Sequence, residues 1–170
     1  MRRKPIGVIG TAALATASVL AAAAIAAVAA VMFSGLASAG TFNPPLERVD
    51  VRVGPHRLAA EVADNAQERR AGLSGRQRLG RDEGMLFVFD SPVTPAFWMK
   101  GMRFRIDILW LDGRRVVDVT RNVTPASWDA DDAELRLYRP RAPVTHVLEL
   151  RAGWAKRHGV RRGTSVAIDR

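Results

Sequence analysis

Three charged residues stand in or beside apolar runs. Lys100 ends Phe97-Trp98-Met99-Lys100, Asp107 interrupts Ile106-Asp107-Ile108-Leu109-Trp110, and Glu149 interrupts Val147-Leu148-Glu149-Leu150. A charge in such a setting is costly unless it is paired or faces a pocket. A lysine beside a carboxylate acts as general acid and base, or clamps an anionic or sugar ligand. Arg70 adds a guanidinium suited to a bidentate carboxylate or phosphate contact. Trp128 lies in a weakly patterned stretch, where an exposed indole stacks on a sugar or sits at a membrane interface. Arg70, Lys100, Asp107, Glu149 and Trp128 are therefore the candidate ligand-binding set. The competing reading of the three charges is a structural ion pair without chemistry. Trp98, Trp110 and Trp154 fall in strands or a helix and read as core.

Other chemistries find less support. The 170 residues contain no cysteine, which excludes disulfide scaffolds, zinc fingers, thiol catalysis and iron–sulfur clusters. Met85, Met99 and Met102 with His146 offer soft ligands for Cu(I), but methionine in apolar runs reads first as gap-filling core. His56, His146 and His158 lack HxxxH or HxH spacing. The acidic Asp129-Ala130-Asp131-Asp132 stretch lacks the glycine and bidentate glutamate of a calcium loop. No serine lies in a Gly-x-Ser-x-Gly frame, and Gly72, Gly75 and Gly80 make no phosphate-binding loop. No metal or cofactor is expected.

The elements that position these residues begin after residue 39. Arg2, Arg3 and Lys4 precede an apolar run from Ile6 to Phe33, and no charge follows until Glu47. Ala37-Ser38-Ala39 suits signal peptidase, so residues 1–39 read as a signal peptide cleaved between Ala39 and Gly40, or as an uncleaved membrane anchor. Either way the domain of residues 40–170 is expected beyond the cytoplasmic membrane, periplasmic, extracellular or anchored on its outer side. Without residues 1–39, 23 Lys+Arg stand against 17 Asp+Glu, a net +6. Partners there are an envelope glycan, an anionic polymer, an anionic lipid headgroup or an envelope protein, and not nucleic acid.

Within the domain, Val49, Val51 and Val53 alternate with charged residues and resume after Gly54-Pro55 as Leu58, Ala60 and Val62, a hairpin with one buried face. Asp64 or Asn65 caps a short helix that Gly72 stops. Gly84 to Phe89 reads as a central strand buried on both faces. Residues 97–100 and 104–110 continue the sheet, and Asp112-Gly113 turns it back into Val116, Val117 and Val119. Leu135, Leu137 and Tyr138 suggest a short edge strand within a weakly patterned loop. A strand follows from Val144 to Leu150, a helical turn from Ala152 to His158, and a closing strand from Thr164 to Ile168. The expected fold is mostly β, with about eight mainly antiparallel strands in a barrel-like or sandwich arrangement and two short helices.

The ordered blocks Arg70-Ala71-Gly72-Leu73, Gly84 to Phe89, Phe97 to Met102, Ile106 to Trp110, Val147 to Leu150, Ala152-Gly153-Trp154 and Gly159-Val160 with Gly163 closely resemble the DUF192 family. The resemblance covers the whole domain and departs at Ser74, Gly101-Met102 and Thr164. It implies an exported or membrane-attached, β-rich small domain of undefined biochemical role. Three function classes stay open: an envelope module that binds a small ligand or glycan, an enzyme acting on envelope polysaccharide through Glu149 or Asp107, and a protein-interaction module without a small-molecule site.

Overall fold

A computed structural model describes residues 46–170. The expected targeting segment and its cleavage point at Ala39 and Gly40 lie outside the described residues. Among the described residues no helix is long and apolar enough to cross a membrane.

Among the described residues seven strands make one sheet: β1 Arg48–Val53, β2 His56–Ala63, β3 Glu83–Val93, β4 Ile106–Asp112, β5 Arg115–Val123, β6 Val144–Arg151 and β7 Val166–Asp169. Their order across the sheet is β5-β4-β6-β3-β2-β1-β7. Every pairing is antiparallel except β2 with β3. A parallel pair needs a crossover, and here helix α1, Ala66–Ala71, and the loop after it supply one. Asn65 caps α1, its side-chain oxygen accepting from the Glu68 N–H at 3.0 Å, while Glu68 reaches back to the Asp64 N–H. The sheet curls into a half-barrel. Its two edge strands meet at one end, where the Val116 N–H donates to the Thr164 carbonyl and the Val166 N–H to the Arg114 carbonyl.

The mostly β fold with two short helices is thus what the alternation predicted. The difference lies in residues 97–100 and 135–138, expected as strands. They form a single bridge between Phe97 and Tyr138, because this stretch crosses over the sheet instead of joining its edge. The turn after β4 is also shifted by one residue: Asp112 pairs with Arg115, so Gly113-Arg114 is the two-residue loop. Gly113 alone takes a positive φ there, as the first position of a II′-type turn requires.

Alternation along each strand sorts side chains into two layers. All seven strands contribute to the interior of the curl, among them Val51, Val62, Leu86, Leu109, Val116, Leu148 and Val166, and Trp154 of helix α2, Trp154–Arg157, closes it. The opposite face of β3, β6 and β4 carries a second layer of Met85, Phe87, Ile106, Ile108, Trp110 and Val147, covered by Leu73, Met99 and Met102. The central strands are therefore buried on both sides.

Asp107 is fully buried on the interior side, in register with Leu150. Both its oxygens accept backbone donors: Oδ1 from the Asn122 N–H at 2.8 Å and Oδ2 from the Ala155 N–H at 2.9 Å. The first fixes an irregularity in β5, where Asn122 has a φ of 53°. The second satisfies an orphan donor in the first turn of α2, whose own N-cap, Gly153, has no side chain to offer. One carboxylate thus ties β4 to β5 and to α2. Replacing it by Asn keeps one acceptor and sets an amide N–H against a backbone N–H. Asp107→Asn is expected to lower stability by about 2 kcal/mol or more, read as a lower midpoint in urea unfolding; an unchanged midpoint would show the tie to be dispensable.

Candidate functional site

On the second face a pocket of about 560 Å³ opens beside β3 and β6. Helix α1 and its exit contribute Arg69, Arg70, Leu73 and Ser74. Strand β3 contributes Phe87 and Phe89, and the stretch 95–102 contributes Phe97, Trp98, Lys100 and Met102. Trp128 and Asp132 come from the loop after β5, and Glu149 from β6. Packing holds the 95–102 wall in place. The Phe97 ring meets Phe87 and Trp110 edge-on at 4.8 and 5.6 Å, and its backbone exchanges two hydrogen bonds with Tyr138. The Met99 carbonyl accepts from the Ala126 N–H and the Gly101 carbonyl from the Gly75 N–H. Gly101 has a φ of 76°, and a Cβ there would run into the Ser74 hydroxyl, so this close approach of two walls requires glycine.

Glu149 is the unusual group. It stands between Met85 of β3 and Ile108 of β4, is only 5% exposed, and forms no hydrogen bond or ion pair among the described residues. Burial without a compensating partner pushes its carboxyl up to about 8. At neutral pH it is a protonated acid, able to donate as well as accept. The charges lining the pocket with it are mainly positive. Arg69 donates to the Val88 carbonyl at 3.0 Å and stacks over Phe89. Lys100 bonds Asp132 at 2.6 Å, and this contact holds the Asp132 carboxyl below its ordinary range. Arg70 forms no hydrogen bond or ion pair among the described residues, although its charge also reaches Asp132. The two indoles at the mouth, Trp98 and Trp128, are 40% and 56% exposed. Arg103 lies over one face of Trp128, 5.3 Å from its centroid, so the arrangement offers a flat ring the exposed Trp98 indole and the other face of Trp128, together with a neutral acid and cations.

The DUF192 family model, described as an uncharacterized ACR, matches residues 49–168. The chain belongs to the DUF192 family. The domain is similar to a solved protein from Sinorhizobium meliloti 1021 described provisionally as a transcription regulator, with 30% identity and a TM-score of 0.67 over 74% of this chain and 97% of that one. It is also similar to a protein of unknown function from Novosphingobium aromaticivorans DSM 12444, with 30% identity and a TM-score of 0.65 over 77% of this chain and 94% of that one. No curated protein matches the chain significantly.

Four of the five candidates, Arg70, Lys100, Trp128 and Glu149, thus line one pocket of this DUF192 domain. Asp107 does not; it lies on the other face of the sheet with both oxygens bound to backbone donors. Sequence reasoning placed Trp98 in the core, yet it stands at the mouth, because the stretch expected as a strand is a covering segment. Met85, Met99 and Met102 are all buried in the second layer, as the gap-filling reading expected. His56 and His158, far apart in sequence, stack with centroids 4.1 Å apart, away from this pocket.

Glu149 makes stability depend on pH. The unfolded carboxyl titrates near 4.5 and the folded one at about 8. Between those values the unfolded chain releases a proton that the folded chain keeps, so this contribution is complete below the first value and is lost as pH rises through the second. Glu61, lowered chiefly by its hydrogen bond from Arg76, acts only in acid, while His146 and His158, both lowered chiefly by burial, act in the opposite sense and equally in the wild type and a Glu149 variant. Glu149→Gln is expected to flatten the decline and to exceed the wild type at pH 8 by on the order of 4 kcal/mol. Urea unfolding from pH 5 to 9 reads the difference, and parallel curves for the two proteins would refute the assignment.

Proposed function

We propose that this DUF192 domain is a binding module for a small polar ligand, such as a segment of an envelope glycan, and that residues 1–39 direct it beyond the cytoplasmic membrane. The observation that carries the binding reading is Glu149: a carboxyl 5% exposed, without a protein partner among the described residues, in the wall of an aromatic pocket. The carboxyl faces the pocket, where a ligand hydroxyl or amide would bond it. The pocket volume lies in the range of small-molecule sites. A protein-interaction module without a small-molecule site has no use for such a group.

The raised carboxyl also favours a second reading, acid catalysis by Glu149 on a glycan. Glycoside hydrolysis generally pairs two carboxyl groups across the bond. Asp107 is turned to the opposite face, and the one other carboxylate in the lining, Asp132, is held by Lys100. This geometry supports binding over hydrolysis.

Thermal-shift scanning against neutral and acidic glycan fragments tests the binding reading. A ligand at 100 times its Kd stabilises by about 2.7 kcal/mol, a clear rise in Tm. Trp98→Ala and Trp128→Ala, both at exposed positions, are expected to keep the fold within roughly 1 kcal/mol and to abolish that rise. A shift that survives both substitutions would place the ligand elsewhere, and the absence of any shift across the panel would refute the reading.

A further inference from the structure

We infer that the mouth of this pocket is an anion site for an acid group carried on a ring, and that Asp132 occupies the anion position until the ligand displaces it. The inference rests on the binding reading above and names its ligand class. Three cations, Arg69, Arg70 and Lys100, line the pocket, against a single carboxylate at its mouth, Asp132. Asp132 meets two of these cations as a ligand acid would: its Oδ1 accepts from the Lys100 ammonium at 2.6 Å, with the Arg70 charge also acting on it.

Among the described residues the Asp132 side chain bonds Lys100 alone. Its side chain is 79% exposed, and it belongs to a 3₁₀ turn, Asp132–Glu134, whose N-cap is the neighbouring Asp131, bonded to the Ala133 N–H at 2.9 Å. The turn therefore keeps its cap when Asp132 moves. The Lys100 side chain, by contrast, is 35% exposed and lines the pocket, and its one ion pair among the described residues is Asp132. An exposed ion pair of this kind is weak and exchangeable. A carboxylate or phosphate on a ligand would gain both Lys100 and the Arg70 guanidinium, which suits bidentate contact and forms no hydrogen bond or ion pair among the described residues. The ring that bears the acid then stacks its flat apolar face on an exposed indole, that of Trp98 or the face of Trp128 turned away from Arg103. An acidic monosaccharide unit, a uronate or a sugar phosphate, matches these three features together. A neutral sugar meets only the indoles and Glu149.

Calorimetric titration of the full chain with glucuronate, glucose 6-phosphate and glucose tests the assignment. Both acids are expected to bind more tightly than glucose, and whichever binds more tightly identifies the acid group. Asp132→Asn is expected to tighten both acids roughly three- to tenfold and to leave glucose unchanged, with far-UV circular dichroism unaltered. Lys100→Gln should weaken the acids and spare glucose. If Asp132→Asn leaves acid binding unchanged or weaker, or if glucose binds as well as the acids throughout, the anion site is refuted while the binding pocket stands. If none of the three binds and Trp98→Ala changes nothing with any glycan fragment, both readings fall together.

Discussion

A carboxyl group taken out of water must find donors, find a counter-charge or keep its proton. The three central strands of this sheet impose that choice twice, because apolar layers cover both of their faces. Asp107 in β4 finds donors: two backbone N–H groups, one from the irregular end of β5 and one from the first turn of α2. Glu149 in the adjacent β6 finds none and keeps its proton. One register position separates the two outcomes. Asp107 is opposite Leu150, and Glu149 opposite Ile108, so the two side chains emerge on opposite sides of the sheet.

The rest of the architecture follows from how each side is closed. On the interior side the Asp107 tie brings Trp154 of α2 down on a cluster to which every strand contributes. On the other side closure is partial. Leu73, Met99 and Met102 cover Met85, Ile106 and Ile108, but the covering segment is held by Phe97 and by a few backbone hydrogen bonds, and it leaves open the space next to Glu149. Two indoles exposed at the margin of that space are apolar area that folding did not bury. Apolar surface grouped at a concavity is what the proposed binding reading calls for.

Much of this was legible in the sequence. Period-two patterning located β1, β2, β4, β5, β6 and β7, and the capping residues bounded α1. Charges placed within apolar runs singled out Lys100, Asp107 and Glu149. What the residues did not reveal is non-local. Phe97-Trp98-Met99 has the composition of a strand, and only the tertiary position of Phe97 between Phe87 and Trp110 makes it a cover. The same ambiguity hid Trp98. For Asp107 and Glu149 the alternation of each strand was plain, but which parity faces the interior depends on strand order, and a strand buried on both faces gives no polar side to orient it.

Stability alone does not account for Glu149. A leucine or methionine of similar size would extend the apolar layer between Met85 and Ile108 at no cost in ionisation, and a structural carboxylate would be expected to resemble Asp107, with a donor for each oxygen. Glu149 is instead held so that it lowers stability as the pH rises, with its unused hydrogen-bonding capacity turned toward a cavity. Groups that reduce stability without forming a bond of their own concentrate at sites that a ligand completes. The cations of the same pocket point in the same direction. Lys100 is occupied by an exchangeable carboxylate, and Arg70 bonds none among the described residues, so charge and hydrogen bonding are both left incomplete in one place. These two deficits converge on one aromatic cavity, and the proposed ligand is a molecule that would supply both.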